Sequence, residues 1–371
     1  MTRPRNSKAP GADLRRTASV CERMFKTVHT RVLSADDPAA LREAGRLLAA
    51  GELVAVPTET VYGLAADAGN PGAVRKIFEV KGRPQDNPLI VHIADLEMWA
   101  PLVEELPKEA LTLAEAFWPG PLTIILKKSG RVPMETSAGL DSVGVRFPSH
   151  PAARAVIRAA GCPLAAPSAN LSGSPSPTSA KHCFDDLCGR VPLILDGGDC
   201  GVGIESTVVS LVGEPVVLRP GAVTAAALSK TLGRPVPVSA AATKPLEAGA
   251  TAASPGMKYR HYSPKAKVTL VEGTAEAFAR LLDRAEEGTF GLVFEGEDAL
   301  TKRPCVVYGK SGDPASQARG VFAALRELDG RGAKRVLARC PEERDGAGLG
   351  VYNRLLRAAA FEVIRADSFG T

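Results

Sequence analysis

The chain has 371 residues, of which 45% are apolar and 23% charged, and a formal charge of +5. This length is generous for one hydrophobic core and suits two domains, and the composition excludes a chain too polar to fold. No run is long and apolar enough for a membrane span, and the small positive excess permits a polyanionic partner without requiring one.

The N-terminal MTRPRNSKAPGADLRRTASVCERMFK is basic but lacks the apolar centre of a secretory signal, so residues 1–26 read as a disordered extension, with Met24 an alternative start. Asp13 and Glu22 interrupt the arginines that an organellar presequence would carry. From Asp36, DDPAALREAGRLLAAGE has helical apolar spacing and stops at Gly51; LVAVP then reads as a buried strand. PTETVYGLAAD therefore falls where a strand gives out. AVRKIFEVKGRP is a helix whose end delivers Lys81, Gly82 and Arg83, and LIVHI is the next strand. A helix from Lys108 to Trp118 leads through PGP into the strand LTIILKK. DSVGVRFP, CPLAAPSAN, VPLILDGG and STVVSLVGEPVVLRPG supply further strands, with both continuous and alternating apolar runs, which predicts a mixed, twisted α/β sheet.

From Ala222 to about Ala253 the chain turns to Ala, Pro, Thr and Ser with little periodicity and ends in SPGMKYRHYSPKAK, the composition of a linker. Strand and helix patterns then resume in KVTLVEG, AEAFARLLDRAEE, GTFGLVFEG, CVVYG, a helix from about Pro314 to Leu328, RVLARC and a last helix near GVYNRLLRAAAFEV. The expected divisions are 27–221, 222–265 as linker, to which the family resemblance described below adds the role of an active-site lid, and 266–371 as a smaller α/β domain.

Packing explains the strands but not the polar residues at their ends. Thr58, Glu59, Thr60, Lys81, Arg83, Asn87, His92, Arg146, Ser168, Asn170, Ser206 and Arg219 all fall near such ends, where α/β sheets bind ligands. Donors outnumber carboxylates there, which suits a carboxylate and phosphates. The glycine-rich DGGDCGVGIEST can wrap a ligand closely, yet it is neither a Walker loop nor a GxGxxG fingerprint, and Ser206 has no nucleophile elbow. The cysteines at 21, 162, 183, 188, 200, 305 and 340 form no paired framework and suit a reducing, cytoplasmic setting. Cys183, Cys188 and His182 lack the second close pair of a zinc site, and no H-E-x-x-H or carboxylate trio appears, so no resident metal is expected.

In order, PTETVYGLAAD, KGRPQDNPLIVHI, WPGPLT, VGVRFP, APSANLSGSPSPT, DGGDCGVGIESTVV and LRPG resemble the catalytic domain of the threonylcarbamoyl-AMP synthases. SPGMKYRHYSP and GLGVYNRLLRAA resemble the long form of that family, whose linker crosses the cleft to a small C-terminal domain. The resemblance implies a twisted, open, mixed-sheet YrdC-like α/β domain with a smaller Rossmann-like α/β domain. It also implies an enzyme that converts L-threonine, bicarbonate and ATP, with Mg2+ on the nucleotide, to threonylcarbamoyl-adenylate and pyrophosphate. The product would pass to a separate tRNA threonylcarbamoyl transferase complex, with at most a transient contact to RNA.

Matched motif by motif, the resemblance implies that Lys81 and Arg83 are the catalytic cations, holding oxygens of ATP and the carbamate. It puts Thr58, Thr60, His92, Arg146 and Ser206 in the threonine pocket, with Arg146 on the carboxylate. Asn87 would bind a phosphate or pin its loop. Thr123, Ser168, Asn170, Ser176 and Arg219 fall on the ATP side, and His261 and Tyr262 in the part that covers the nucleotide. The rival readings are a double-stranded RNA-binding module without adenylate synthesis, and a carbamoyl-transfer enzyme of the hydrogenase-maturation type. Aromatics at 5% and polar residues grouped by motif argue against the first; the second wants zinc-type cysteine pairs that are missing.

Overall fold

The computed structural model describes residues 28–244 and 262–366. The basic extension and His261 lie outside them, as does most of SPGMKYRHYSP.

Ten strands build the first sheet: β1 (Arg31–Ser34), β2 (Val54–Val56), β3 (Gly63–Asp67), β4 (Ile90–His92), β5 (Leu122–Lys127), β6 (Ser142–Arg146), β7 (Leu164–Ala165), β8 (Leu193–Asp196), β9 (Thr207–Ser210) and β10 (Val216–Arg219). Their spatial order is β1-β8-β2-β3-β7-β4-β6-β5-β9-β10. β4 runs parallel to β6 and β5 parallel to β9, whereas β5 and β6 are antiparallel, so the sheet is mixed as expected. Register fixes what the strand ends present: His92 lies beside Arg146, and Arg146 beside Thr123.

The helices start and stop by local chemistry. α1 (Pro38–Ala49) begins where Asp37 accepts from the Ala39 amide, with Pro38 supplying the fixed φ of a first turn. α2 (Pro71–Lys81) is capped by Asn70 and stopped by Gly82 in the left-handed region at φ 61°, which leaves Lys81 buried on its last turn. α3 (Lys108–Phe117), the short α4 (Met134–Ser137), α5 (Pro151–Ala160) and α6 (Ala180–Leu187) complete the packing around the sheet. Leu64, Ile77, Val91, Leu113, Ile124 and Val145 form its larger core. A second layer joins Leu48, Val54, Val156 and Leu193, and Gly45 lets α1 approach α5 so closely that an added Cβ would lie 2.5 Å from Ala159.

The segment read as a linker from Ala222 contains a helix, α7 (Ala225–Leu232). Thr224 caps it by accepting from the Ala227 amide, and Leu228 enters the larger core. The alanine content that masked periodicity is itself favourable to a helix.

A second sheet is wholly parallel, with order β13-β12-β14-β11-β15. Its elements are β11 (Lys267–Glu272), α8 (Ala275–Asp283), β12 (Thr289–Val293), β13 (Cys305–Val307), α9 (Pro314–Gly330), β14 (Arg335–Arg339), α10 (Leu349–Ala358) and β15 (Val363–Arg365). The predicted last helix extended through FEV; instead it ends at Ala358, Ala360 and Phe361 take positive φ, and Val363 enters the sheet.

The two domains share a core. Val61 and Ile204 of the first share one core cluster with Phe322, Val351 and Leu355 of the second and with Tyr262, which precedes it. Gly203, at φ 83°, lies so near α9 that a Cβ would meet the Ala318 carbonyl oxygen at 2.4 Å. Among the described residues no helix is long and apolar enough to cross a membrane.

Candidate functional site

The strand register opens a cavity at the ends of β4 and β6. Its wall includes Thr58, Thr60, Arg83, His92, Arg146, Ser168, Ser206, Arg219 and Tyr262. Three arginines, 83, 146 and 219, stand there against one carboxylate, Glu205.

On one side, Thr58 Oγ1 donates to the Val61 carbonyl at 2.6 Å and lies 2.9 Å from Thr60 Oγ1. A hydroxyl has one proton, so Thr60 is the donor in that pair. Arg146 Nη1 donates to Thr60 Oγ1 at 2.8 Å. Arg146 Nη2 lies 2.7 Å from Glu59 Oε1, an ion pair whose angles are not those of a hydrogen bond. Burial resists ionisation of Glu59, but Arg146 prevails and holds the carboxyl below the ordinary glutamate range. Burial, then Arg146, brings His92 down to about 3, so the imidazole is neutral at pH 7. Its Nδ1 sits 3.2 Å from the Ile90 carbonyl.

Across the cavity, Ser206 joins two strand ends. Its hydroxyl lies 2.8 Å from Thr123 Oγ1 and accepts from Arg219 Nη2 at 3.1 Å, while Arg219 Nε donates to the Ser206 carbonyl at 3.0 Å. Thr123 is buried behind Ser206 and does not line the wall.

The loop after β7 carries Ser168 into the wall but turns Asn170 inward. Asn170 Nδ2 donates to the Leu171 and Ser174 carbonyls at 2.7 and 2.8 Å. Lys81, likewise off the wall, donates to the backbone carbonyls of Ser168 and Asn170. Burial, with Arg83 adding, holds its ammonium well below the ordinary lysine range. Burial also brings Arg83 down to about 10, which leaves it a cation at pH 7. Arg83 Nη2 reaches the Asn87 and Pro88 carbonyls at 3.4 and 3.3 Å. Asn87 is buried with neither amide atom hydrogen-bonded, as is Arg83 Nε, so this loop offers polar atoms in want of a partner. Ser176 is buried and donates to Glu205 Oε1.

Sequence reasoning had overlooked Glu205 and Arg354. Arg354 Nε donates to Glu205 Oε2 at 2.8 Å from 149 residues away. The available signal was the charged residue within each matched motif, Glu205 in EST and Arg354 in GVYNRLL. Tyr262, at φ 64°, stands in the cavity wall with its ring 5.2 Å from that of Phe322. No group of three or more His, Cys, Asp or Glu side chains that could hold a metal occurs among the described residues.

Comparison with known proteins accords with this arrangement. Residues 46–221 match the family model described as Telomere recombination, and residues 223–360 match that of the threonylcarbamoyl-AMP synthase C-terminal domain. The chain is 44% identical to threonylcarbamoyl-AMP synthase of Pyrococcus abyssi over 333 residues, 88% of this chain and 95% of that protein. It is 43% identical to the Bacillus subtilis protein of the same name over 346 residues, 91% of this chain and 97% of that one. The crystal structure of P. abyssi Sua5 complexed with L-threonine superposes with a TM-score of 0.82 at 40% identity, covering 91% of this chain and 99% of that one. With both domains matched in one chain and identity sustained across them, the protein belongs to the threonylcarbamoyl-AMP synthase family of enzymes.

Proposed function

We propose that the protein forms L-threonylcarbamoyl-adenylate and pyrophosphate from L-threonine, bicarbonate and ATP, the first step towards N6-threonylcarbamoyladenosine in tRNA. The observation that carries this reading is the convergence of Arg83, Arg146 and Arg219 with the Thr58, Thr60 and Ser206 hydroxyls on one cavity. A carboxylate, a carbamate and a triphosphate all present oxygens to such a surface.

Arg146 and the two threonines hold the amino acid, with the neutral His92 closing that side. Arg83 and Arg219 face the nucleotide, and Ser168 adds a hydroxyl. Lys81, Asn170, Ser176 and Thr123 act from behind the wall by fixing the loops that form it. Asn87 keeps its open amide for a phosphate oxygen or for its own loop. Threonine's amine attacks the bicarbonate carbon, a C–O bond breaks with release of water to leave the carbamate, and a carbamate oxygen then attacks the α-phosphorus as pyrophosphate leaves. No side chain becomes covalently attached; positioning and fixed cations facing the developing charge supply the acceleration. Mg2+ would enter on the ATP phosphates, neutralising the leaving group.

The mixed anhydride is labile in water, which suits the cover that Tyr262 gives one side of the cavity. The product would leave for a separate cytoplasmic transferase that acts on tRNA. Pyrophosphate release from ATP tests the reading. It is expected only with both L-threonine and bicarbonate present, and equal release after rigorous removal of bicarbonate would overturn it.

A further inference from the structure

Arg354 is fully buried on α10 and does not itself line the cavity. Its guanidinium nevertheless reaches the first domain. Nε donates to Glu205 Oε2 at 2.8 Å, Nη2 to the Glu205 carbonyl at 3.1 Å and Nη1 to the Pro220 carbonyl at 2.5 Å. These contacts adjoin two residues of the wall. Ser206 follows Glu205, Arg219 precedes Pro220, and those two side chains are bonded to each other. The remaining Glu205 oxygen accepts from Ser176, so the loop after β7 is tied to the same carboxylate. The Tyr262 ring completes the arrangement, its centre 5.8 Å from the Arg354 guanidinium carbon.

Close approach of the backbones makes this reach possible. A Cβ at Gly350 would lie 2.8 Å from Ile204 Cδ1 and 3.3 Å from Gly221 Cα. Docking alone does not account for the arrangement. Val61 and Ile204 already bury apolar surface against the second domain, and a buried ion pair is a poor source of net association energy because both charges must be desolvated. What a fork of donors does well is fix two carbonyls and a carboxylate in one geometry.

We propose that Arg354 is a positioning residue for adenylate formation: it acts through Glu205 and the Pro220 carbonyl to hold Arg219 in its place on the nucleotide side, together with the Ser206 hydroxyl to which Arg219 is bonded. The second domain is thereby part of the active site's framework. This rests on the functional reading above.

Two variants test it. Arg354→Lys keeps the charge but cannot reproduce the fork. The pair Glu205→Gln with Arg354→Met replaces the ion pair by neutral groups of similar size, a change that buried ion pairs tolerate in stability. Thermal unfolding, direct titration with ATP and steady-state kinetics are measured on both and on the natural chain. The paired variant is expected to keep the natural melting transition, while ATP affinity weakens and KM for ATP rises roughly tenfold in both variants. Natural ATP affinity and KM would overturn the proposal. So would a lower kcat at unchanged KM, the signature of a smaller folded fraction. Loss of folding in both variants would assign Arg354 to docking alone and overturn it too. Failure of the underlying reading is separate: it would appear in the natural chain as pyrophosphate release independent of bicarbonate, whereas ATP titration reads the positioning without turnover.

Discussion

Glu59 places its carboxylate 2.7 Å from Arg146 Nη2, so the guanidinium proposed to receive a substrate carboxylate already faces one supplied by the chain. Both side chains are largely buried, and each makes the other's charge tolerable.

Arg146→Ala should therefore do two things at once. It strands a buried carboxylate, at a cost of about 3–5 kcal/mol of stability, and it removes the proposed threonine contact. The double variant Arg146→Ala with Glu59→Gln separates the two, recovering most of the stability but none of the threonine affinity. Urea unfolding and isothermal titration measure the two effects; recovery of threonine binding in the double variant would contradict the assignment.

His92 carries a pH signature. Its folded value of about 3 lies below the ordinary 6.5, so between those limits the unfolded chain holds a proton that the folded ring lacks. Stability is complete above about pH 6.5 and falls as pH falls through that window, by up to ~1.4 kcal/mol per pH unit. His182, brought to about 4 by burial and then by Arg326, has the same sign. His92→Gln should remove its share, about half of the two rings' effect, so that unfolding curves at pH 4.5 and 7 differ less in the variant than in the natural chain. An equal difference would mean that the ring is not held neutral by the fold.

Arg326 of α9 bonds Asp186 through both guanidinium ends, at 3.1 and 2.8 Å, and the Pro175 carbonyl at 2.6 Å. Asp186 in turn accepts from the Leu171 amide. Arg326→Ala should loosen the 171–175 segment, at a cost of about 1.5–3 kcal/mol for hydrogen bonds to a charged group. Faster amide exchange confined to that segment is the expected readout; unchanged exchange there would remove this tie from the account.

The position of a truncation matters. A chain cut after Ala222 loses Leu228 and Val236 from the larger core, together with the 237–239 backbone that bonds Val217. A buried leucine alone is worth about 2–5 kcal/mol on truncation to alanine. The chain ending at Lys244 should unfold at a clearly higher temperature than the one ending at Ala222, and both should bind ATP poorly. Equal melting temperatures would show that α7 adds nothing to the first domain.

Much of this was legible because the local signals agreed with one another. The Asn70 cap, the apolar spacing of Val74, Ile77 and Phe78, and the stop at Gly82 all put Lys81 at a helix end. β3 was missed because GLAAD is almost wholly buried and has no alternation to read. α5 and α6 were missed as well, although His150 and Ser179 cap them. At the site, the residue types were readable but not their orientation. Whether Lys81 faces a ligand or the Ser168 and Asn170 carbonyls depends on a loop 87 residues away. Glu59, noted at its strand end, was not matched with Arg146 because a search for donors discounts the carboxylates that hold them.

The shared core also sets an order of assembly during synthesis. Glu205 leaves the ribosome 149 residues ahead of Arg354, which at roughly 5–20 residues per second is on the order of ten seconds. Throughout that interval Val61 and Ile204 have no Val351 or Leu355 to cover them. The nascent first domain thus exposes apolar side chains close to its own cleft, a patch for a chaperone to shield until α10 emerges.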